Sequence, residues 1–420
     1  MKVLYRIIIA AAKAGLPLIG LFNKKINLGA KGRGATWDIL DKKVKKTTPK
    51  IWVHAASLGE FEQVVPVLEK INREKYQVVL SFFSPSGFEN KKYTSLADVV
   101  CYLPLDTRTN AQKFIKVVDP SLAIMVKYEF WPQYLNQLKL KKIHTILVSG
   151  VFREKMPFNS WYGKWMTPSL EAFSHFFLQD EHSLFHLKNL GYTNATVSGD
   201  TRFDRASQLI ERSNHLDFLD EFLSNKKCLV VGSSWPEDIS VMKNWLNSNS
   251  QNEDYKVIIA PHEVHSNAIK QLIDQLDHPV QLYSEIEKNK VVEETTTLII
   301  DSIGKLTLAY SYASIAYVGG AMGTKGLHNI LEAATFGIPV VIGKNYDKFP
   351  EAGKLEDLGG LFSIENKQEF NEIINKLFED DYLRDKTGMI SGHWINSNTG
   401  ATRLILNYLK EYNEDMVVHN

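Results

Sequence analysis

From residue 51 onward, short apolar runs alternate with stretches of helical period. The runs 51–56, 77–83, 98–103, 121–126, 143–148 and 174–178 have the length of strands, not helices. Between them lie amphipathic segments such as Phe61, Val64, Val65, Leu68 and Ile71. A second series follows at 227–232, 256–260, 297–300, 314–318 and 338–342. Runs that are apolar throughout belong to strands covered on both faces, which means parallel sheets wrapped by helices. The pattern therefore predicts an α/β chain of two Rossmann-like, doubly wound domains, 35–205 and 206–420. Their junction falls near "VSGDTRFDR" (197–205), before a polar helix at 206–226. A terminal helix at about 400–413 has the option of returning to the first domain.

The first 34 residues break this pattern. Residues 7–22, "IIIAAAKAGLPLIGLF", are apolar apart from Lys13, and Lys24, Lys25, Lys31 and Arg33 follow. Sixteen residues interrupted by Lys13 and Pro17 are short for a full membrane span, which takes about 20. A helix lying in or dipping into an anionic leaflet fits better. Charge sharpens the picture: residues 1–50 hold twelve Lys/Arg against Asp38 and Asp41, and the remainder holds 37 against 46. A basic arm on a mildly acidic body seeks an anionic surface. The apolar run selects membrane over nucleic acid. The two cysteines, Cys101 and Cys228, form neither a disulfide framework nor a metal-binding spacing.

Ligands of doubly wound sheets bind beyond the carboxyl ends of strands, so candidate chemistry is expected at those junctions. "IAYVGGAMGTKGLHNILEAATFGIPVVIG" (315–343) runs from a strand through Gly319, Gly320 and Gly326 to a helix expected to open at His328-Asn329, with Glu332 one turn on. Glycines allow close backbone approach and a helix start favours phosphate, while Glu332 suits ribose hydroxyls. "VVGSSWPED" (230–238) offers Ser233 and Ser234, and "IIAPHEVH" (258–265) offers His262 at another strand end. In the first half, "MVKYEFWPQYL" carries Lys127 and Glu129, and "LVSGVFREK" carries Arg153. The run "IWVHAASLGEFEQ" (51–63) delivers Ser57, Gly59 and the acid Glu60 to the end of a buried strand. Glu60 reads either as an ordinary acid at a helix start or as a proton acceptor.

Taken together, "HAASLGE", "YLPLD" (102–106), "YEFWP" (128–132), "LQDEHS" (178–183), "SGDTRFD" (198–204), "DSIGKL" (301–306) and the 315–343 segment resemble the Kdo transferases, which act with 3-deoxy-D-manno-octulosonic acid in lipopolysaccharide assembly. The resemblance implies a GT-B fold with an interdomain cleft, CMP-Kdo as donor and a lipid A precursor (lipid IVA) as acceptor. It implies an inverting, metal-independent reaction with no cofactor, at the cytoplasmic face of the inner membrane. Glu60 would be the general base, and Ser57, Gly59, Lys127, Glu129 and Arg153 would hold the sugars. Ser233, Ser234, His262, Gly319, Gly320, Gly326, His328, Asn329 and Glu332 would hold the nucleotide. The chain departs from the family pattern at Pro261-His262-Glu263, Ser149-Gly150-Val151 and Gly326-Leu327-His328, where Pro-Arg-His, Asn-Ala-Arg and Gly-Gly-His are usual. The alternatives are a GT-B enzyme using a UDP-sugar and a non-catalytic, membrane-bound nucleotide-sugar sensor.

Overall fold

The computed structural model describes residues 1–286 and 295–418. The chain divides into two units: Met1–Arg205 with Thr399–Asn420, and Ala206–Asn398. The first contains β1 (Lys50–Ala55), β2 (Gln77–Phe82), β3 (Val99–Tyr102), β4 (Pro120–Val126), β5 (His144–Gly150), β6 (His175–Leu178) and β7 (Ala195–Val197). The second contains β8 (Lys227–Ser234), β9 (Tyr255–Pro261), β10 (Val280–Leu282), β11 (Thr297–Ile299), β12 (Ile315–Val318), β13 (Val340–Gly343) and β14 (Leu361–Ile364).

Each unit holds a seven-stranded sheet, in the orders β3-β2-β1-β4-β5-β6-β7 and β10-β11-β9-β8-β12-β13-β14. Every pairing within them is parallel. The continuous apolar runs have the expected cause. Trp52, Val79, Ala123, Met125 and Leu147 point into one core of the first unit. Their neighbours Ile51, Val53, Leu80, Ile124 and Val148 point into another on the opposite face. Winding reverses between β1 and β4 and again between β8 and β12. Those two reversals are where such sheets open for ligands.

The terminal helix, Ala401–Tyr412, packs in the first unit, with Ile405 and Leu409 in the core that holds Ile51 and Val53. The "SGDTRFD" motif secures it. Asp204 accepts hydrogen bonds from Gly400 N (2.6 Å), Thr402 N (3.0 Å) and Thr402 Oγ1 (3.1 Å). Asp200 gathers Gln63, Gln179 and Arg202 around one carboxylate. These acids are structural ties that hold distant segments together.

Helix α1 (Lys2–Gly20) is longer than the 7–22 run implied, and by length and composition it can cross a membrane. Tyr5, Ile9, Ala12 and Leu16 are half-buried along one stripe, whereas Val3, Leu4, Ile7, Ile8, Leu18 and Ile19 stand exposed. α2 (Lys24–Lys43) follows, capped by the Asn23 side chain.

Candidate active site

In the first unit the site forms where β1 gives way to α3 (Leu58–Leu68). Ser57 is the N-cap residue and Glu60 lies in the first turn. Ser57-Leu58-Gly59-Glu60 has the form of a capping box, in which the serine accepts from the backbone and the acid reaches back. The box is not built. The Ser57 hydroxyl makes no cap and instead donates to Glu60 Oε2. The nearby cations go elsewhere: Lys91 (3.3 Å) and Arg205 both pair with Glu62, two residues farther on. Among the described residues no cation pairs with Glu60. The result is a half-exposed carboxylate with a single hydroxyl donor at the open end of a switch-point strand.

The end of β4 supplies the neighbouring wall. Lys127 adopts φ +63, a left-handed conformation that a lysine takes only at some cost. Its Nζ lies 5.3 Å from the Tyr128 ring, and Arg153 Cζ lies 5.8 Å from the same ring. The Tyr128 phenol is pushed up chiefly by burial; Arg153 opposes this, while Asp180 and Glu60 add to it. Glu60, Lys127 and Arg153 thus all act around one tyrosine. Glu129 behaves differently from the sequence expectation. It is buried and accepts from Trp131 Nε1 at 2.5 Å, with His54 Nε2 2.9 Å from the same oxygen. His54 Nδ1 in turn meets Ser81 at the end of β2. Glu129 is therefore committed to holding the β1 and β4 ends together, and neither Lys127 nor an open surface takes it.

Sequence reasoning missed His54, Trp131 and Asp106. Asp106, from "YLPLD", is buried and accepts from Gln133 N and Tyr134 N, capping the helix Pro132–Leu140 that follows Trp131. An acid three residues beyond a strand was the only available signal, and its partners are nearly thirty residues away.

In the second unit, Ser233, next to last in β8, adopts a left-handed conformation (φ +52), and Ser234 Oγ is buried without a hydrogen-bond partner. Ser234 lines a cavity of about 330 Å³ with Trp235, Pro236, Ile239, Pro261 and Leu272. Trp235 stacks on His262 at 4.3 Å, and His262 lies 4.6 Å from His328. Trp235 Nε1 donates to His328 Nε2 at 3.4 Å. An indole nitrogen can only donate, so the His328 proton resides on Nδ1.

The glycine loop is organised by a residue the sequence did not single out. Asp238, wholly buried, accepts from Trp235 N (2.8 Å), Gly320 N (2.9 Å) and Tyr317 OH (2.9 Å). Gly320 has φ +99, and a Cβ there would sit 2.2 Å from Gly326 O, so only glycine closes this loop. The Gly319 N–H is spent on Gly232 O and the His328 N–H on Gly319 O. The helix expected from His328 shrinks to one turn, Leu331–Ala334, because Gly337 (φ +69) closes it with short-range bonds. A single turn has little dipole to offer. Asn329, which precedes the turn's N-cap residue Ile330, accepts from Leu331 N at 3.2 Å. Glu332 is held by Asn329 (3.1 Å) and Thr307 (2.8 Å).

Burial, reinforced by His262, lowers His328 to about 4. An unfolded histidine titrates near 6.5. Between these values the unfolded chain binds the extra proton, so stability falls as pH drops from about 6.5 to 4 and levels off below. The loss should be on the order of 3 kcal/mol. Urea unfolding at pH 7 and pH 4.5 should show a clearly smaller acid loss for His328→Gln, which retains an acceptor for Trp235. An equal loss would assign the acid sensitivity elsewhere.

Comparison with known proteins gives these two switch-point sites a lineage. Residues 31–205 match the family model described as 3-deoxy-D-manno-octulosonic-acid transferase (Kdo transferase). The chain is 27% identical over 396 residues to the 3-deoxy-D-manno-octulosonic acid transferase of Haemophilus influenzae, covering 87% of each. In fold it is similar to the UDP-GlcNAc 2-epimerase of Neisseria meningitidis solved with UDP-GlcNAc (TM-score 0.59, 14% identity, 86% of this chain and 100% of that one). It is likewise similar to MurG of Acinetobacter baumannii (TM-score 0.51, 11% identity, 86% and 100%). The two parallel sheets are those of the GT-B fold, and over most of its length the chain is similar to Kdo transferases.

Proposed function

We propose that the chain transfers Kdo, with inversion, from CMP-Kdo to a sugar hydroxyl of a lipid A precursor in lipopolysaccharide assembly. The observation that carries this reading is the state of Glu60: Ser57 orients it, while the adjacent cations are drawn to Glu62. A proton acceptor needs an accessible lone pair, and an ion pair would occupy it. In the proposed step Glu60 takes the acceptor hydroxyl proton as that oxygen bonds to the anomeric carbon of Kdo. The bond from that carbon to the CMP phosphate breaks, and its electron pair leaves with the phosphate.

Lys127 and Arg153 are suited to the carboxylate of an acidic sugar. Ser233, Ser234, His262, His328, Asn329 and Glu332 are assigned to the nucleotide. Because CMP departs as a monophosphate ester, we propose that these donors suffice without a metal ion. The basic arm and the exposed apolar stripe of α1 support residence at a membrane, on the side where CMP-Kdo is made.

Product masses test the reading. Incubation with a lipid A precursor, Kdo and a CMP-Kdo-generating system should add one or more Kdo units to the lipid. UDP-sugars in place of the donor should add nothing. Transfer from a UDP-sugar alone would overturn the donor assignment.

A further inference from the structure

We infer that residues 153–165 form a second contact with an anionic lipid surface, joined to α1 at Tyr5. The inference rests on the reading of α1 as a lipid-seeking helix and extends it to the body of the first unit. Between β5 and β6 the chain makes two 3-10 segments, Pro157–Asn159 and Lys164–Ala172. At the tip between them Trp161 is 76% exposed and Tyr162 48% exposed. Large aromatic rings standing adjacent in water are unusual on a soluble surface and mark a contact site.

The tip is constructed rather than loose. Phe158 is anchored in the core. Gly163 passes so close to Pro157 that a Cβ would lie 1.8 Å from its carbonyl oxygen. Gly163 N donates to Ser160 O at 2.9 Å, and Met166 N donates to Gly163 O at 2.8 Å. The turn therefore fixes Trp161 and Tyr162 outward.

Two observations select lipid as the occupant. Lys155 and Lys164 are exposed on either side of the pair along the chain, opposed only by Glu154 within the segment, while Arg153 belongs to the Tyr128 wall. Cations beside tryptophan and tyrosine make the composition of a headgroup layer. The segment is also continuous with α1. The Trp165 ring lies 5.2 Å from Tyr5, and Tyr5 OH donates to the buried Asp106 at 2.7 Å. The outward stripe of α1, including Val3, Leu4, Ile7 and Ile8, is thereby fixed to the same part of the unit as the aromatic tip.

The test uses the full chain carrying Trp161→Cys labelled with an environment-sensitive NBD fluorophore. Cys101 and Cys228 are wholly buried, so the label is directed to position 161. With vesicles of phosphatidylglycerol and phosphatidylcholine, NBD emission should shift to the blue and rise about twofold or more. A Trp161→Ala, Tyr162→Ala double variant should bind the vesicles about tenfold more weakly, as expected for two rings withheld from the interface. Co-sedimentation with water-like emission at position 161 would overturn this inference and leave the α1 reading intact. Failure of the unlabelled chain to co-sediment would overturn both. A blue shift produced by an added soluble protein, with none from vesicles, would reassign the tip to a protein partner and refute the lipid contact.

Discussion

Glu60→Gln is expected to lower kcat by about 10²–10⁴-fold, the usual worth of a general base. Nucleotide affinity and thermal midpoint should remain those of the wild type. The carboxamide keeps the size of the side chain and still accepts from the Ser57 hydroxyl. No ion pair is lost, since Lys91 and Arg205 belong to Glu62. Glu62→Gln makes the informative contrast: it breaks both of those pairs, which are partly exposed and worth under about 1 kcal/mol each, yet should leave turnover nearly unchanged. Single-turnover transfer to a lipid A precursor separates the two variants. If Glu60→Gln retained more than about a tenth of wild-type turnover, the base would have to be another group.

The second large effect belongs to Asp238. Asp238→Ala should destabilise the second unit by about 3–5 kcal/mol, because three buried donors lose their acceptor together. Those donors are Trp235 N, Gly320 N and Tyr317 OH, drawn from a helix start, a loop and a strand. CMP affinity should fall at least tenfold, since the loop 319–328 loses the group that fixes its first bend. Asp238→Asn keeps the shape but turns an amide N–H₂ toward some of the donors, so an intermediate loss is expected. Urea denaturation with calorimetric CMP titration measures both quantities. Wild-type stability with binding abolished would place Asp238 on the ligand, and no change in either would deny it the loop.

The sheets were legible because each central strand is buried on both faces and so reads as an unbroken apolar run. The run 51–56 became Lys50–Ala55, and 314–318 became Ile315–Val318. Three strands escaped notice: Ala195–Val197, Val280–Leu282 and Leu361–Ile364. All three sit at sheet edges and have only three or four residues. With one neighbour each, they need no such run. The positions of Glu60, Lys127, Ser233 and the glycine loop followed from the strand ends alone. What they touch did not. Nothing along the chain shows that Glu129 is engaged by His54 and Trp131, and the one-turn helix after His328 is masked by a sequence that has good helix formers. Acids such as Asp106, Asp200 and Asp238 join segments 21 to 137 residues apart. A reading that scans along the chain has no view of such pairs.

The return of the terminal helix also bears on the order in which the molecule is made. The second unit is one unbroken stretch, Ala206–Asn398, inserted into the first. Synthesis supplies everything its core needs before Ile405, Leu409, Met416 and Val417 reach the core they share with Ile51 and Val53. The half that begins first is thus the half completed last. While the second unit forms, the nascent first unit must wait with an apolar slot beside α3, later closed by the Ile71–Val417 bridge. Such a slot is a natural place for a chaperone to hold a growing chain.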